Sequence, residues 1–374
     1  MDLACYIHIP FCRSKCSYCD FYSKAGSSHL IRPYLKGVVQ EMTGYKAYYN
    51  LRAKTIYIGG GTPSCLPPGD LEYLLKGIHK IFSVNNIEFT IEVNPESLSR
   101  TFLTVTRAYG VNRYSLGVQS FQDRILKILK RKTTSDTIKK SLAFLGKEVN
   151  NFSADLIYGL PFQTQRDLEN DLECLLDHPV KHISLYALTL PEKSLIHSLY
   201  LKDRGIFPSE EEIAEMYFMA SALLNRKKYI RYEISNYARK GYVCRHNMTY
   251  WQGKDYIGWG AAAVSTVGGI RWSNVSDISG YIACIKKGGQ PIRKKTVLQK
   301  NQIIREYIML QMRLKEGLNL LYLDQRYGID LSKTKAREME KWIELGLVKL
   351  KKNILSLTTS GVMVSNSIIS DLMI

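Results

Sequence analysis

A chain of 374 residues is long enough for two domains, or for one large domain with an appendage. A hydrophobic fraction of 45% and a charged fraction of 23% exclude a disordered chain, and eight cysteines are too few for a disulfide scaffold. The net charge of +18 allows nucleic acid, acidic protein surfaces or anionic ligands as partners, and is equally compatible with a solvated basic surface.

No apolar run reaches the roughly 18 residues that a membrane-spanning helix needs. The N-terminus, MDLACYIHIPFC, lacks the basic start and the cleavage site of a signal peptide. We therefore expect a cytoplasmic protein. In the reducing cytosol, a tight group of cysteines predicts a metal site rather than disulfides.

Short β-rich runs alternate with longer helical patterns through the first 235 residues. The pattern predicts six strands, at 3–9, 54–59, 87–93, 112–118, 152–159 and 182–188. It predicts helices between and after them, at 28–49, 69–82, 121–146, 164–177 and 210–228. Six such alternations indicate an α/β fold with parallel strands, whose functional loops meet at one rim beyond the carboxyl ends of the strands.

The pattern changes after about residue 235. Residues 232–265 are rich in aromatic residues and glycine, and helical patterns follow at 301–315, 319–328 and 332–346. A hairpin that turns at Lys352 and Asn353 comes next. We predict a first domain over 1–235 and a C-terminal domain over 236–374, the latter comprising a segment 236–300 and a small helical, winged-helix-like module 301–374.

The first predicted strand leads into a tight group of cysteines with C-x3-C-x2-C spacing: Cys12, Cys16 and Cys19. A closed zinc site needs four ligands. A fourth could come from Cys5, Cys65, Cys174, Cys244 or Cys284, but none of these has paired spacing. Three thiolates suit an iron–sulfur cluster with one iron left open. The remaining alternative is three buried structural cysteines, since free cysteine is common in protein cores.

The triplet, with Tyr18 directly before its last cysteine, resembles the signature of the radical S-adenosylmethionine (SAM) superfamily. This resemblance implies a [4Fe-4S] cluster held by Cys12, Cys16 and Cys19, whose open iron is chelated by the amino and carboxylate groups of SAM. It also implies a partial (β/α)6 barrel, the fold that the six alternations indicate independently.

The loops after the strands carry the remaining candidates. The GGGTP loop at 59–63 follows the second strand, and glycine lets a backbone approach a ligand closely. The resemblance makes Gly60, Gly61 and Thr62 contacts of the SAM methionine group. It implies further SAM contacts, each of which would otherwise be interpreted as a cap, a surface charge or a core polar group: Tyr6, Tyr18, Glu92, Gln119, Arg131 and Asp155.

Longer runs identify a branch of that superfamily. The runs YIHIPFCRSKCSYCDF, NRYSLGVQSF, ADLIYGLPFQT and HNMTYW resemble the oxygen-independent coproporphyrinogen III oxidases and their relatives, and the resemblance covers nearly the whole chain. The oxidases carry a fourth cysteine where this chain has Phe21, and a long extension before the cysteines. Both departures favour the relatives regarded as haem chaperones, the HemW type. The GWGAAA run at 258–263 is no dinucleotide fingerprint, because it lacks an early βαβ unit and a following acidic residue.

The resemblance makes His246 of HNMTYW a haem-binding residue, with Tyr250 and Trp251 able to cover a porphyrin face. The alternative for His246 is a core histidine bonded to a backbone carbonyl. One loop, LTLPEKSL at 188–195, departs from the acidic residue and Gly-Thr of the relatives, which leaves the contacts of porphyrin or partner at this rim open.

Three functions follow, in descending order of expectation. The first is a haem chaperone that binds haem and transfers it to an acceptor protein, and that carries the cluster and an exchangeable SAM. The second is an oxygen-independent coproporphyrinogen III oxidase, and the third a radical SAM enzyme that modifies RNA. Nucleic acid is not expected as a partner of the first. The absence of a membrane span is compatible with a transient association with a membrane surface.

Overall fold

The computed structural model describes residues 1–374. Its strands are β1 (Asp2–Ile9), β2 (Phe11–Cys12), β3 (Lys24–Ala25), β4 (Arg52–Gly60), β5 (Glu88–Val93), β6 (Arg113–Gln119), β7 (Phe152–Tyr158), β8 (His182–Ala187), β9 (Ile230–Arg231), β10 (Asn236–Ala238), β11 (Tyr256–Trp259), β12 (Val264–Val267), β13 (Ile270–Asn274), β14 (Ile292–Val297), β15 (Leu318–Asn319), β16 (Val348–Lys351) and β17 (Ile354–Leu357).

The six strands predicted from the sequence are β1 and β4 to β8, and they lie side by side in chain order with parallel pairing. Parallel strands are covered on both faces, which explains why β6 is buried at every residue before Gln119. The predicted α/β fold with a partial barrel of six parallel strands is confirmed.

The helices are α1 (Ile31–Tyr49), α2 (Pro68–Ile81), α3 (Arg100–Ala108), α4 (Asp123–Ile128), α5 (Ser135–Glu148), α6 (Gln165–Leu176), α7 (Leu195–Lys202), α8 (Glu210–Arg226), α9 (Arg245–Trp251), α10 (Ile278–Lys286), α11 (Lys300–Arg313), α12 (Leu320–Tyr327), α13 (Leu331–Thr334), α14 (Ala336–Glu344), α15 (Thr359–Met363) and α16 (Ser365–Asp371). None of these helices has both the length and the apolar character needed to cross a membrane.

The helix predicted over 121–146 is instead two helices, α4 and α5. Lys130 adopts a left-handed conformation, with φ of 54°, directly after α4. Thr134 then starts α5, because its side chain accepts a hydrogen bond from the Thr137 amide, the arrangement of an N-cap. The sequence contains a signal of this break, because residues 130–137, KRKTTSDT, include no apolar residue.

Residues 236–297 extend the sheet at both of its edges. Strand β10 pairs antiparallel with β8, whereas β11 pairs parallel with β1 and is followed by the antiparallel strands β12 to β14. One 12-stranded sheet therefore contains the barrel strands and most of the segment predicted as 236–300.

The C-terminal module packs helices α11 to α16 around a three-stranded sheet in the order β15, β17, β16. The predicted hairpin turns at Lys352 and Asn353, which both have positive φ, as a two-residue type I′ turn requires. The module contacts the extension of the large sheet through Arg271 on β13, which donates two hydrogen bonds to Glu306 at 2.7 and 2.8 Å. One hydrophobic core of 77 buried residues runs through both parts.

Candidate functional site

A cavity of about 530 Å³ lies inside the partial barrel. Alternate residues of each strand face it, because side chains along a strand point to opposite faces in turn. On β6 these are Arg113, Ser115, Gly117 and Gln119. The predicted site residues that line the cavity are Cys16, Tyr18, Cys19, Gly60, Gly61, Thr62, Glu92, Gln119, Arg131 and Asp155.

The cysteine loop is held by backbone contacts at both of its ends. Strand β2, which contains Cys12, pairs with β3 after the loop. Within the loop, Ser17 donates its amide to the Leu129 carbonyl at 3.0 Å and its hydroxyl to the Ile128 carbonyl at 3.1 Å. The loop is therefore fastened to the C-terminal end of α4.

The three cysteines are free thiols that are half-buried. Thr62 Oγ1 donates to Cys12 Sγ at 3.5 Å, and Arg131 Nη1 donates to Cys16 Sγ at 3.8 Å. Burial raises the pKa of the Cys12 and Cys19 thiols, and the neighbouring thiols raise it further. Donors directed at sulfur lower the cost of a thiolate there.

These residues fit an iron–sulfur cluster. Cysteine thiolates are the ligands of such clusters, and hydrogen bonds to the sulfurs and solvent exposure set their reduction potential. No three His, Cys, Asp or Glu side chains converge closely enough to hold a single metal ion. The residues that would hold the cluster are the three of the predicted triplet.

The glycine loop at the end of β4 runs against the cysteine loop. Gly61 donates its amide to the Ile9 carbonyl and Thr62 donates its amide to the Phe11 carbonyl, both at 2.8 Å. A Cβ atom at Gly61 would lie 2.7 Å from the Phe11 carbonyl oxygen and 3.0 Å from Cys12 Sγ. Only glycine permits this approach, so the loop presents bare backbone to the cavity beside the thiols.

Glu92 ends β5 next to this loop. Its carboxylate accepts hydrogen bonds from the Gly60 amide at 2.9 Å and from the Tyr57 hydroxyl at 3.0 Å. Burial raises the pKa of Glu92 to about 7, although both donors oppose the shift. Burial likewise raises the pKa of Asp155 on β7. Two carboxyl groups therefore face the cavity in a setting that favours a cationic or hydroxyl-bearing ligand.

Arg131 connects the cysteine loop to two strands. In addition to Cys16, its guanidinium donates to the Gly117 carbonyl at 2.7 Å and to Asn94 Oδ1 at 3.4 Å. Asn94 in turn donates to Thr62 Oγ1 at 3.1 Å. Asn94 belongs to the NPES loop after β5. It is not among the predicted site residues, although its place at the end of a strand is a signal of such a role.

Tyr6 lies behind the cavity wall rather than on it. His8 Nε2 donates to the Tyr22 carbonyl at 2.8 Å, so His8 Nδ1 accepts from the Tyr6 hydroxyl at 3.0 Å. Gly60, with φ of 114°, passes directly over the His8 ring, where a Cβ would lie 2.5 Å from Nδ1. The Tyr6 hydroxyl, a predicted contact of SAM, is therefore already hydrogen-bonded to His8.

His246 is also outside the cavity lining, and only 1% of its surface is exposed. Its Nδ1 is bonded to Thr55 Oγ1 at 2.8 Å and its Nε2 to the Tyr250 hydroxyl at 2.9 Å. The ring stacks on Tyr57 at 5.1 Å between centroids. Burial, and then the charge of Arg113, lower the pKa of His246 to about 3. This is the geometry of a core histidine, and haem contact through either nitrogen requires one of the two bonds to break.

The mouth of the cavity carries Phe21 and the divergent loop. Phe21 is 65% exposed and lines the mouth, where the resemblance expects a fourth cysteine in oxidases. Leu188 and Thr189 of the 188–195 loop line it as well. Helix α7 follows, and the Ile196 amide donates to the Ser17 carbonyl at 3.0 Å, so the divergent loop lies against the cysteine loop.

Several cavity residues were not among the predicted site residues. They lie within quoted runs of the sequence or on the predicted strands: Tyr57, Arg113, Ser115, Ser184, Tyr186 and Asn247. Asn247 is notable because it follows His246 directly in HNMTYW and reaches the cavity that His246 does not. Strand alternation could have identified Ser115 and Arg113 once Gln119 was assigned to the cavity.

The chain is similar to known proteins in both sequence and fold. The family model described as the radical SAM superfamily matches residues 6–175, and that of the HemN C-terminal domain matches residues 298–364. The chain is 34% identical over 370 residues to heme chaperone HemW of Bacillus subtilis (strain 168), with 97% of each chain covered. It is 35% identical over 265 residues to heme chaperone HemW of Escherichia coli (strain K12), covering 70% of this chain and 69% of that one.

Among solved structures, the chain is similar to coproporphyrinogen III oxidase (HemN) from Escherichia coli. The TM-score is 0.86, and the alignment covers 99% of this chain and 90% of that chain at 21% sequence identity. At this identity the similarity shows a common fold.

Proposed function

The chain belongs to the HemW family of haem chaperones within the radical SAM superfamily, and on that premise we propose that it binds haem and transfers it to an acceptor protein. The observation that carries this proposal is the similarity to a heme chaperone HemW over 97% of both chains. Phe21 at the cavity mouth supports it, because the position offers no further thiolate beside the triplet.

We propose that Cys12, Cys16 and Cys19 hold a [4Fe-4S] cluster and that an exchangeable SAM occupies the cavity beside it. The cluster, when bound, supplies one-electron chemistry and an open iron. The residues of the chain bind the SAM molecule and orient it beside the cluster. Backbone groups of the glycine loop face the ligand, and Glu92 and Asp155 accept hydrogen bonds from it.

Residues around the cysteine loop also influence the charge of the thiolates and the access of water to them. Arg131 places a cation against Cys16 Sγ and thereby offsets part of the negative charge that three thiolates bring to the loop. Burial of Glu92, with its pKa near 7, lets this carboxyl hold or release a proton at Oε1 or Oε2 according to the charge of the ligand. Tyr18 packs against apolar residues below the loop and limits water access.

Transfer of haem to an acceptor requires a contact that can open. His246 remains the proposed haem contact, through exchange of its bond to Thr55 or to Tyr250 for one to iron. Tyr250 lies one turn along the same helix and moves with His246, so a small movement of α9 would instead break the bond to Thr55 on β4 and free Nδ1.

The alternative function is oxygen-independent oxidation of coproporphyrinogen III. One observation favours it, the similarity in fold to HemN over 99% of this chain. Phe21 at the position of a fourth cysteine opposes it.

A paired anaerobic assay on one reconstituted sample distinguishes the two functions. One half receives haem and is scanned for a shifted Soret band. The other receives coproporphyrinogen III, SAM and a reductant, and is scanned for protoporphyrin fluorescence after oxidation. We expect haem binding without new porphyrin. Formation of protoporphyrin would establish the oxidase and overturn the chaperone assignment.

The proposed cluster ligands have a matched control in the same loop region. Cys65 is a half-buried free thiol, whose Sγ donates to the Phe11 carbonyl at 3.5 Å, but it is not part of the triplet. We expect Cys16→Ser to lose the visible cluster absorption and most of the bound iron, and Cys65→Ser to keep both. An equal loss of cluster absorption and iron in the two variants would contradict the proposal that the triplet cysteines are the cluster ligands.

A further inference from the structure

Arg113 is a buried arginine without a hydrogen-bond partner in the protein. Only 2% of its surface is exposed, and its Nε is buried with no partner. A guanidinium offers five N–H donors, and buried donors are nearly always satisfied. Arg131 and Arg271, by contrast, donate to named acceptors. Arg113 lines the cavity, so its free donors have a place in which to meet a ligand.

Arg113 lies at the inner part of the cavity. It begins β6, and Gln119, at the rim with the SAM candidates, ends the same strand. Both line the cavity, which therefore follows most of the strand, roughly 20 Å at the usual rise per residue. Asn247 on α9 lines this inner part as well, since α9 is bonded to Thr55 near the start of β4.

The acidic groups near Arg113 are engaged elsewhere. Glu88 accepts hydrogen bonds from the amides of Arg245 and His246, at 2.9 and 2.8 Å. Asp155 is stabilised by the hydroxyls of Ser184 and Ser115 as well as by the charge of Arg113, and burial still raises its pKa. Neither carboxylate is hydrogen-bonded to Arg113, so the fork of the guanidinium is open.

An open, buried guanidinium suits a carboxylate. Arginine binds carboxylates through two parallel N–H···O bonds, and such charge-assisted bonds gain strength away from water. Asn247 lines the same region and supplies a neutral amide donor beside it. We propose that Arg113 anchors a carboxylate of a ligand that occupies the inner part of the cavity, separate from the cysteine rim.

Two ligands could bring that carboxylate. One is haem, through a propionate, and this source rests on the proposed function. The other is a further adenosyl amino acid of the SAM type in the inner part of the cavity, distinct from the SAM whose carboxylate is expected at the open iron of the cluster. The chemistry at Arg113 is the same for both, and paired probes separate them.

The test compares each acid with a form that lacks the carboxylate, in the full chain. The probes are haem against haem dimethyl ester, and SAM against decarboxylated SAM, with dissociation constants from fluorescence quenching and calorimetry. The SAM pair is measured on the chain before the cluster is reconstituted, so that no open iron holds the carboxylate. The variant is Arg113→Met, which keeps length and removes the fork. Arg271→Met is the matched control, because Arg271 is paired with Glu306 away from the cavity.

In the wild-type chain we expect at least tenfold tighter binding of the acid in one of the two pairs, and that pair identifies the source. Arg113→Met should bind both members of the pair equally, and Arg271→Met should keep the wild-type preference. Equal binding within both pairs by the wild-type chain, as expected if only water satisfies Arg113, would overturn the proposal. So would an Arg113→Met variant that keeps the preference.

A stability measurement separates a binding role from a structural one. Since Arg113 donates no hydrogen bond to the protein, Arg113→Met without ligand should lower the melting temperature less than Arg271→Met does. Arg113→Gln serves as a second variant. A marked loss of melting temperature in both Arg113 variants would show a structural role and overturn the proposal. A complete absence of haem binding by the wild-type chain would contradict the chaperone function instead, and the SAM pair would still test Arg113.

Discussion

Glu92 and His246 are both buried polar residues, yet they face different surroundings. Glu92 lines the cavity, and burial raises the pKa of its carboxyl group to about 7, although the two hydrogen-bond donors oppose the shift. His246 is enclosed by Thr55, Tyr57 and Tyr250, with both ring nitrogens bonded. Glu92 can therefore contact a ligand in the cavity, whereas His246 supports the cavity wall from behind.

The enclosed ring of His246 predicts a pH dependence of stability. Its pKa is about 3 when folded and about 6.5 in an unfolded chain. Between these values only the unfolded chain binds the proton, so this contribution is present above pH 6.5 and is lost as the pH falls. Between pH 7 and pH 5, the wild-type chain should lose about 2 kcal/mol more free energy of unfolding than His246→Gln, from the pKa difference.

Urea unfolding of both chains at the two pH values measures this difference. The charged groups near His246 are Arg113 and Glu88, and both are present in the two chains, so their effects cancel. His79→Gln is the control, because His79 is exposed on α2 and should leave the pH dependence unchanged. Parallel pH dependence of the wild-type chain and His246→Gln would contradict the enclosed geometry.

Elements around the cysteine loop form a small apolar group apart from the main core. This satellite core consists of Ile125, Leu129, Ile157, Leu160 and Ile196. Residues Tyr18 and Leu188 pack against it from the cysteine loop and the divergent loop. Helices α4 and α7 thus hold the cysteine loop from below, and the strands contribute only Ile157 to that support.

Ile196→Ala should loosen the cysteine loop more than the rest of the fold. Ile196 is fully buried, and truncating such a side chain to alanine typically costs about 2–5 kcal/mol. The loss of stability should be local: it should weaken the packing of the satellite core and the hydrogen bond from the Ile196 amide to the Ser17 carbonyl. We expect faster hydrogen exchange in residues 13–20 and 188–202, measured by mass spectrometry, with slow exchange retained in β4 to β7.

Leu201→Ala on the same helix is the control, because Leu201 is 72% exposed and buries little apolar surface. Its exchange pattern should match the wild-type chain. If Ile196→Ala left residues 13–20 unchanged, α7 would not support the cysteine loop.

The whole molecule combines one continuous core with a strongly positive charge. The core of 77 buried residues joins the barrel to the C-terminal module, which favours cooperative unfolding. The net charge of +18 opposes the compact state through self-repulsion. The surface ion pairs, such as Lys140 with Asp136, are exposed and contribute little.

Salt should therefore stabilise the chain. Between 0.1 M and 1 M salt the Debye length falls from about 10 Å to about 3 Å, which screens the repulsion. We expect the melting temperature to rise by roughly 2–4 °C, as for a gain of about 1 kcal/mol in a large domain. Sodium chloride and choline chloride should act alike in differential scanning calorimetry. A fall in melting temperature in both salts would show that the ion pairs outweigh the net charge.

The sequence by itself determined the six parallel strands and the rim to which their loops lead. Strand order follows from alternation with helices, and parallel strands place their carboxyl ends together, so the cysteine triplet, the glycine loop and Glu92 had to meet. The break between α4 and α5 was missed although residues 130–137, KRKTTSDT, contain no apolar residue and include the N-cap Thr134.

Only the tertiary structure decided which residues of each motif face the cavity. His246 and Asn247 are neighbours in the sequence, but successive residues of a helix point about 100° apart, so one turned into the core and the other to the cavity. The rotation of α9 about its axis is set by packing on β4 and by Glu88, which no local pattern encodes. Arg113 could not be identified from the sequence for the same reason, because its lack of hydrogen-bond partners is visible only when all of its neighbours have been placed.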